Sequence, residues 1–138
     1  MSSGPPLGGG RREARERAVH LLYEADQRSV GVDVVLDDQV LPADEYTQAL
    51  LRGVEARRDD LDATIGRLAH GWTLDRMPTM DRLVLEIAIY ELSDQPDVPT
   101  AVILNEAVEL ANQYSTDDSG RFVNGVLATA ATELRGDT

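Results

Sequence analysis

The sequence predicts an all-α domain of six to seven helices. Apolar residues recur in most segments at the three-to-four spacing of a single buried helical stripe. No alternating run is long enough to make a strand. Aromatics amount to one Trp, one Phe and four Tyr, so the core must be built from Leu, Val, Ile and Ala, a palette that favours helix on helix.

Residues 1–10 hold four Gly and two Pro and are expected to be a disordered N-terminal arm. The single folded domain then covers 11–135, with 136–138 as a tail. From Arg11, the residues Ala14, Ala18, Leu21, Leu22 and Ala25 form one stripe, and Glu13–Arg17 and Glu24–Arg28 add favourable i,i+4 pairs. Gly31 closes this helix. Val34–Leu36 form a short helical segment ended by Pro42. A third helix starts near Ala43 and turns Tyr46, Leu50, Leu51 and Val54 inward. Asp59-Asp60 caps a fourth carrying Leu61, Ile65 and Leu68, and Gly71 in His70-Gly71-Trp72 ends it.

After Pro78, the run Met80–Leu92 is apolar in nearly every direction and is expected to be the central, most buried helix. Gln95-Pro96-Asp97-Val98-Pro99 breaks the chain. Two further helices follow at about 100–114 and 119–134, with Asn124-Gly125 in the last allowing a close helix–helix approach.

Several chemistries are excluded. With no cysteine there is neither a disulfide framework nor a thiol nucleophile. His20 and His70 stand alone, without metal-ligand spacing, and no glycine-rich phosphate loop is present. No apolar run approaches the roughly 20 residues of a membrane span. The expectation is a cytoplasmic binding protein with no catalytic residues, metal or cofactor. The net charge of −12 argues against general charge-driven binding of nucleic acid.

All 13 basic residues are arginine, which a GC-rich coding bias is enough to explain. Their distribution is uneven. Arg11, Arg12, Arg15 and Arg17 fall within seven residues, whereas 29–51 contains no basic residue and gathers Asp33, Asp37, Asp38, Asp44 and Glu45. That acidic stretch is either a solvated face or a surface for a basic protein.

Two groups break a local rule. Cations at a helix N-terminus oppose the macrodipole, yet the first helix opens with Arg11, Arg12 and Arg15. A phosphate held by guanidinium and free N–H groups would explain this, as would pairing with Glu13 and Glu16. Arg121 likewise opens the last helix, behind a cap from Asp118 or Ser119. Phe122 beside it either packs in the core or, at the core's edge, stacks an unpaired base while Arg121 holds its phosphate. Trp72 reads as a plug at a helix end, although an exposed Trp would mark an interface.

Several motifs in the right order carry a family resemblance. They are the opening helix Arg11–Glu24, the central segment Met77–Leu92, Asp97-Val98-Pro99, and the C-terminal runs Asn105–Ala111 and Tyr114–Leu127. Together, over 11–134, they resemble the NusB family. The resemblance implies two packed three-helix bundles that bind boxA, a single-stranded RNA element of ribosomal RNA leaders. It also implies the ribosomal protein NusE as partner, with other Nus factors and RNA polymerase engaged indirectly. Carried over by position, the RNA-binding residues are Arg11, Arg12, Arg15, Asp81, Asp118, Arg121 and Phe122.

Glu13 stands where some relatives carry a basic residue, which makes this arm less cationic. Both monomers and homodimers occur in the family, and the sequence does not choose between them. The competing reading is a protein–protein scaffold in ribosome assembly, whose arginines make only salt bridges.

Overall fold

The computed structural model describes residues 9–136. Among these there are seven helices and no strand: α1 Gly9–Arg28, α2 Val32–Asp37, α3 Glu45–Ala56, α4 Arg58–Leu68, α5 Thr79–Asp94, α6 Thr100–Tyr114 and α7 Ser119–Arg135. Most of the expected arm, residues 1–8, lies outside the described residues, but Gly9 and Gly10 belong to α1. Helices α1, α2 and α3 pack on one another, as do α5, α6 and α7. α4 lies against α5 and α7, and α1 and α3 join the two bundles through α5. No described helix is long and apolar enough to cross a membrane.

Three helix ends differ from expectation. Ser29, not Gly31, turns the chain after α1: it takes the left-handed conformation (φ 56°), and the N–H of Val30 reaches back to the carbonyl of Ala25. Gly31 instead precedes α2 with an ordinary φ of −74°. Asp59 and Asp60 do not cap α4, because the chain passes from α3 to α4 through Arg57 alone. They occupy its first turn, where their charge favours the helix dipole. The α3 cap is sharper than foreseen, since the Asp44 carboxylate accepts the N–H of Thr47 at 2.7 Å.

As its composition demands, α5 is buried almost throughout, but three of its buried residues are acids: Asp81, Glu86 and Glu91. Burying an ionised carboxylate alone is costly, so each needs a partner. Glu91 takes Arg15, Asp81 takes Ser119, and Glu86 takes Arg58 at 3.0 Å and Arg82 at 3.1 Å. At the far end of α5, where carbonyls run out of helical donors, the Arg135 guanidinium donates to the carbonyls of Glu91, Leu92, Gln95 and Val98. The last turn of α7 thus closes the last turn of α5.

Glu86 makes stability depend on pH. Burial pushes its pKa from 4.5 up to about 8, helped by the adjacent Asp62 and opposed by Arg58 and Arg82. A proton on Glu86 also gives Asp62 Oδ1, buried and otherwise unpartnered, a donor. Below pH 4.5 both folded and unfolded chains hold this proton. Between there and about pH 8 only the folded chain keeps it, so rising pH favours unfolding. Urea unfolding at pH 5 and pH 8 should show Glu86→Gln removing about 3–4 kcal/mol of this decline. An identical pH profile for the variant and the parent would refute the assignment.

Candidate nucleic-acid interface

The N-termini of α5 and α7 meet at one groove of about 520 Å³. Neither helix has a side-chain cap bond at its start. Pro78 precedes α5 and Asp118 precedes α7, so two sets of free N–H groups and two positive dipole ends face the same region. Aromatic rings flank the groove. Trp72, carried on the turn made by Gly71 (φ 81°), is 48% exposed, and its ring centroid lies 6.0 Å from that of Phe122, tilted by 56°. Phe122 is half-buried, so it both packs against the core and reaches the groove.

The cap expected for α7 is differently built. Asp118 makes no side-chain cap bond and stays exposed beside the groove. The Ser119 hydroxyl accepts the N–H of Thr116 at 3.1 Å and donates to Asp81 Oδ2 at 2.9 Å, tying the start of α7 to the start of α5. Gly120, not Gly125, provides the close helix approach: a Cβ there would strike the Asn112 side chain of α6, whereas Gly125 faces open space.

Among the described residues, every arginine except Arg76 and Arg121 makes an ion pair or a side-chain hydrogen bond. Arg76 and Arg121 are both exposed, and both line the groove that holds Trp72 and Phe122. Free cations, exposed aromatic faces and helix N-termini therefore coincide at one place.

The arginines of α1 are spent differently. Arg15 is 2% exposed: its Nε donates to both Glu91 oxygens at 2.9 and 3.0 Å, and its Nη2 lies 2.9 Å from Oε2. Burial works against the charge, and Glu91 more than offsets it, so the Arg15 pKa lies above its ordinary value. Tyr46 donates its hydroxyl to the same carboxylate, and burial followed by the Glu91 charge pushes the phenol's pKa up. A side chain so enclosed has no surface to offer a phosphate, which corrects the expectation that Arg15 is a binding residue.

Arg11 stacks 4.4 Å over the Tyr46 ring and lies 3.7 Å from Asp97. Arg12, about half exposed, pairs with Glu106 at 3.3 Å and with Glu109. Arg17 holds carbonyls of the loop before α3. The anion that explains this cationic helix start is therefore supplied by the chain itself, from α5, α6 and the α5–α6 turn. Neither Glu13 nor Glu16, the neighbours the sequence suggested, pairs with these arginines among the described residues.

Of the expected residues, the structure gathers Asp81, Asp118, Arg121 and Phe122 at the groove and leaves Arg11, Arg12 and Arg15 apart from it. A second groove between α6 and α7 shares Arg121 with the first and Glu109 with a third, between α1 and α6, where Arg12 lies. The three grooves are separate and adjoin only at these shared residues. Sequence reasoning left Trp72 between a helix-end plug and an interface residue, and missed Arg76. α4 ends at Leu68, before Gly71, and the signal for Arg76 was an arginine four residues after that Trp with no acid spaced to pair with it in a helix.

A family model described as the NusB family matches residues 12–132. Transcription antitermination protein NusB of Saccharopolyspora erythraea is 50% identical over 131 residues, covering 89% of this chain and 87% of that protein. The protein of the same name from Acidothermus cellulolyticus is 49% identical over 122 residues, covering 86% and 84%. Among solved structures, T. maritima NusB superposes with a TM-score of 0.81 at 31% identity, covering 89% of this chain and 91% of that one. A complex of antitermination factors NusB and NusE with dsRNA gives 0.76 at 23% identity, covering 89% and 96%, a likeness of fold alone. With the family model spanning most of the chain and relatives at half identity, the chain belongs to the NusB family.

Proposed function

We propose that this chain is a cytoplasmic RNA-binding adaptor of transcription antitermination, that it catalyses no reaction, and that it binds boxA-type single-stranded RNA together with NusE during ribosomal RNA transcription. The observation that carries this reading is the pairing of the two unengaged arginines, Arg76 and Arg121, with the Trp72 and Phe122 rings in one groove. Bases stack on the rings, phosphates meet the guanidinium groups and helix N-termini, and the acidic body discourages binding elsewhere. Its relatives carry the name of antitermination proteins, and a structural neighbour of the same fold is a complex with NusE and dsRNA.

Arg12 and Arg11 extend the site only where RNA displaces Glu109, Glu106 or Asp97. That self-pairing favours the second reading, a scaffold whose arginines only make salt bridges. Fluorescence anisotropy of a labelled boxA-like RNA, with and without NusE, over a salt series separates the two. Two phosphate contacts give a slope of about −1.4 in log K against log salt, at ~0.7 per phosphate for a single strand. Arg76→Glu with Arg121→Glu should weaken binding at least tenfold and flatten that slope. Unchanged affinity and slope in the double variant would overturn the phosphate role of these arginines, and a parent chain that binds no RNA even with NusE would establish the scaffold.

A further inference from the structure

Arg12 is matched to more acid than one guanidinium needs. Its Nε lies 3.3 Å from Glu106 and its Nη2 meets Glu109. The two glutamates stand three residues apart, on one face of α6. They differ in what else holds them. Glu106 is mostly enclosed and also lies 3.9 Å from the buried Arg15, so it belongs to the network beneath α1. Glu109 is exposed, and among the described residues its one cation is Arg12. The groove of about 290 Å³ between α1 and α6 also contains Glu16, which pairs with no arginine among the described residues. Three glutamates therefore share this groove with one arginine, and its net charge repels a phosphate. An exposed ion pair contributes little to folding, so the second acid on Arg12 has no structural role that Glu106 does not already fill.

We propose that Glu109 is an autoinhibitory counter-ion, which occupies Arg12 in the free chain and withholds it from RNA. This rests on the RNA-binding reading above. Tethered beside Arg12, the Glu109 carboxylate competes at a high effective concentration, so a phosphate arriving alone from solution loses. A strand already held by Arg76, Arg121 and the rings presents its next phosphates at a comparable effective concentration and can take the place of Glu109. Glu109 is suited to leave: it is exposed and turns to water without the burial penalty that Glu91 would meet. It also lines the groove between α6 and α7 that shares Arg121 with the aromatic groove, which puts it beside the strand's path. Engagement is thereby ordered, with the rings and unengaged arginines first and Arg12 second.

The test is a double-mutant cycle between Glu109→Gln and Arg12→Gln in the whole chain, read by anisotropy of the labelled boxA-like strand over a salt series. In the parent, a phosphate that takes Arg12 sheds a counter-ion while the released Glu109 acquires one, so Arg12 adds nothing to the salt slope. Glu109→Gln should raise affinity by up to about fivefold, the upper range of an exposed ion pair. It should also steepen the slope of log K against log salt by about 0.7, one phosphate of a single strand. Arg12→Gln should cost the parent less than about twofold, because the phosphate contact it loses is offset by the ion pair that contact breaks. In the Glu109→Gln background the same substitution should remove the whole gain and the added slope.

Asp37→Asn separates release of Arg12 from a general loss of acidity. It removes the same unit of negative charge at an exposed acid of α2 that pairs with no arginine among the described residues, and it should leave the salt slope unchanged. A larger cost of Arg12→Gln in the Glu109→Gln background than in the parent supports the proposal. Equal costs in the two backgrounds overturn it, as does a gain from Glu109→Gln no greater than that from Asp37→Asn. If neither the parent nor Glu109→Gln binds RNA, with or without NusE, the RNA-binding reading itself falls and the proposal falls with it.

Discussion

Replacing Arg15 with alanine is expected to destabilise the fold by about 3–5 kcal/mol, because it leaves Glu91 charged, buried and without its cation. Much of that cost is the stranded carboxylate, not the lost attraction. The double variant Arg15→Met with Glu91→Leu should therefore recover most of the stability, since a buried ion pair exchanged for apolar side chains of similar volume is often neutral or better. Urea denaturation of the single and double variants measures both quantities. A loss below about 1 kcal/mol for Arg15→Ala would show that Glu91 is satisfied by Tyr46 alone. Charge reversal at Arg15 would unfold the protein and say nothing about RNA, so the informative reversals are at Arg76 and Arg121.

The second large effect concerns the rings. Trp72→Ala and Phe122→Ala should each weaken RNA binding by about 1–3 kcal/mol, the range of a base–aromatic stack, which is roughly five- to 150-fold. Trp72 is half exposed and off the main core, so its removal should leave the midpoint of thermal unfolding nearly unchanged. Phe122 is half-buried against the core, and its alanine variant should show a lower midpoint as well. Anisotropy paired with a thermal melt separates the contributions. Undiminished affinity in Trp72→Ala would place the bases elsewhere.

Much of this architecture is legible in the residues, since one apolar stripe per helix and breaks at Pro and Gly suffice to number and place the helices. The bounds of α6 fall where the sequence puts them, and α5 begins beside Pro78. What escaped the sequence is long-range pairing. Nothing near Arg15 indicates that its partner is Glu91 across the bundle, nor that Arg135 spans the carbonyls at the end of α5. Arg12 and Arg121 look alike as cations at helix starts, and only the positions of Glu106 and Glu109 show that one is neutralised and the other is not. Trp72 was legible as a helix-end residue, but its meeting with Phe122 depends on how α7 packs beside the α4–α5 turn. A cap was read from Asp118 or Ser119, and of the two only Ser119 is engaged, through Thr116 and Asp81.

The rigidity of α5 has a consequence for ligand length. Asp81 in the groove and Glu91 beneath the arginine-rich helix belong to one unbroken helix, and at 1.5 Å per residue they stand about 15 Å apart along its axis. The helix acts as a ruler. With bases stacked at about 3.4 Å, that span corresponds to roughly four or five nucleotides. On the proposed reading, a mononucleotide or dinucleotide fills the aromatic groove without reaching Arg12, whereas a strand of that length reaches both where it displaces Glu106 and Glu109. Selection for a polymer over its building blocks would then be set by the length of a buried helix.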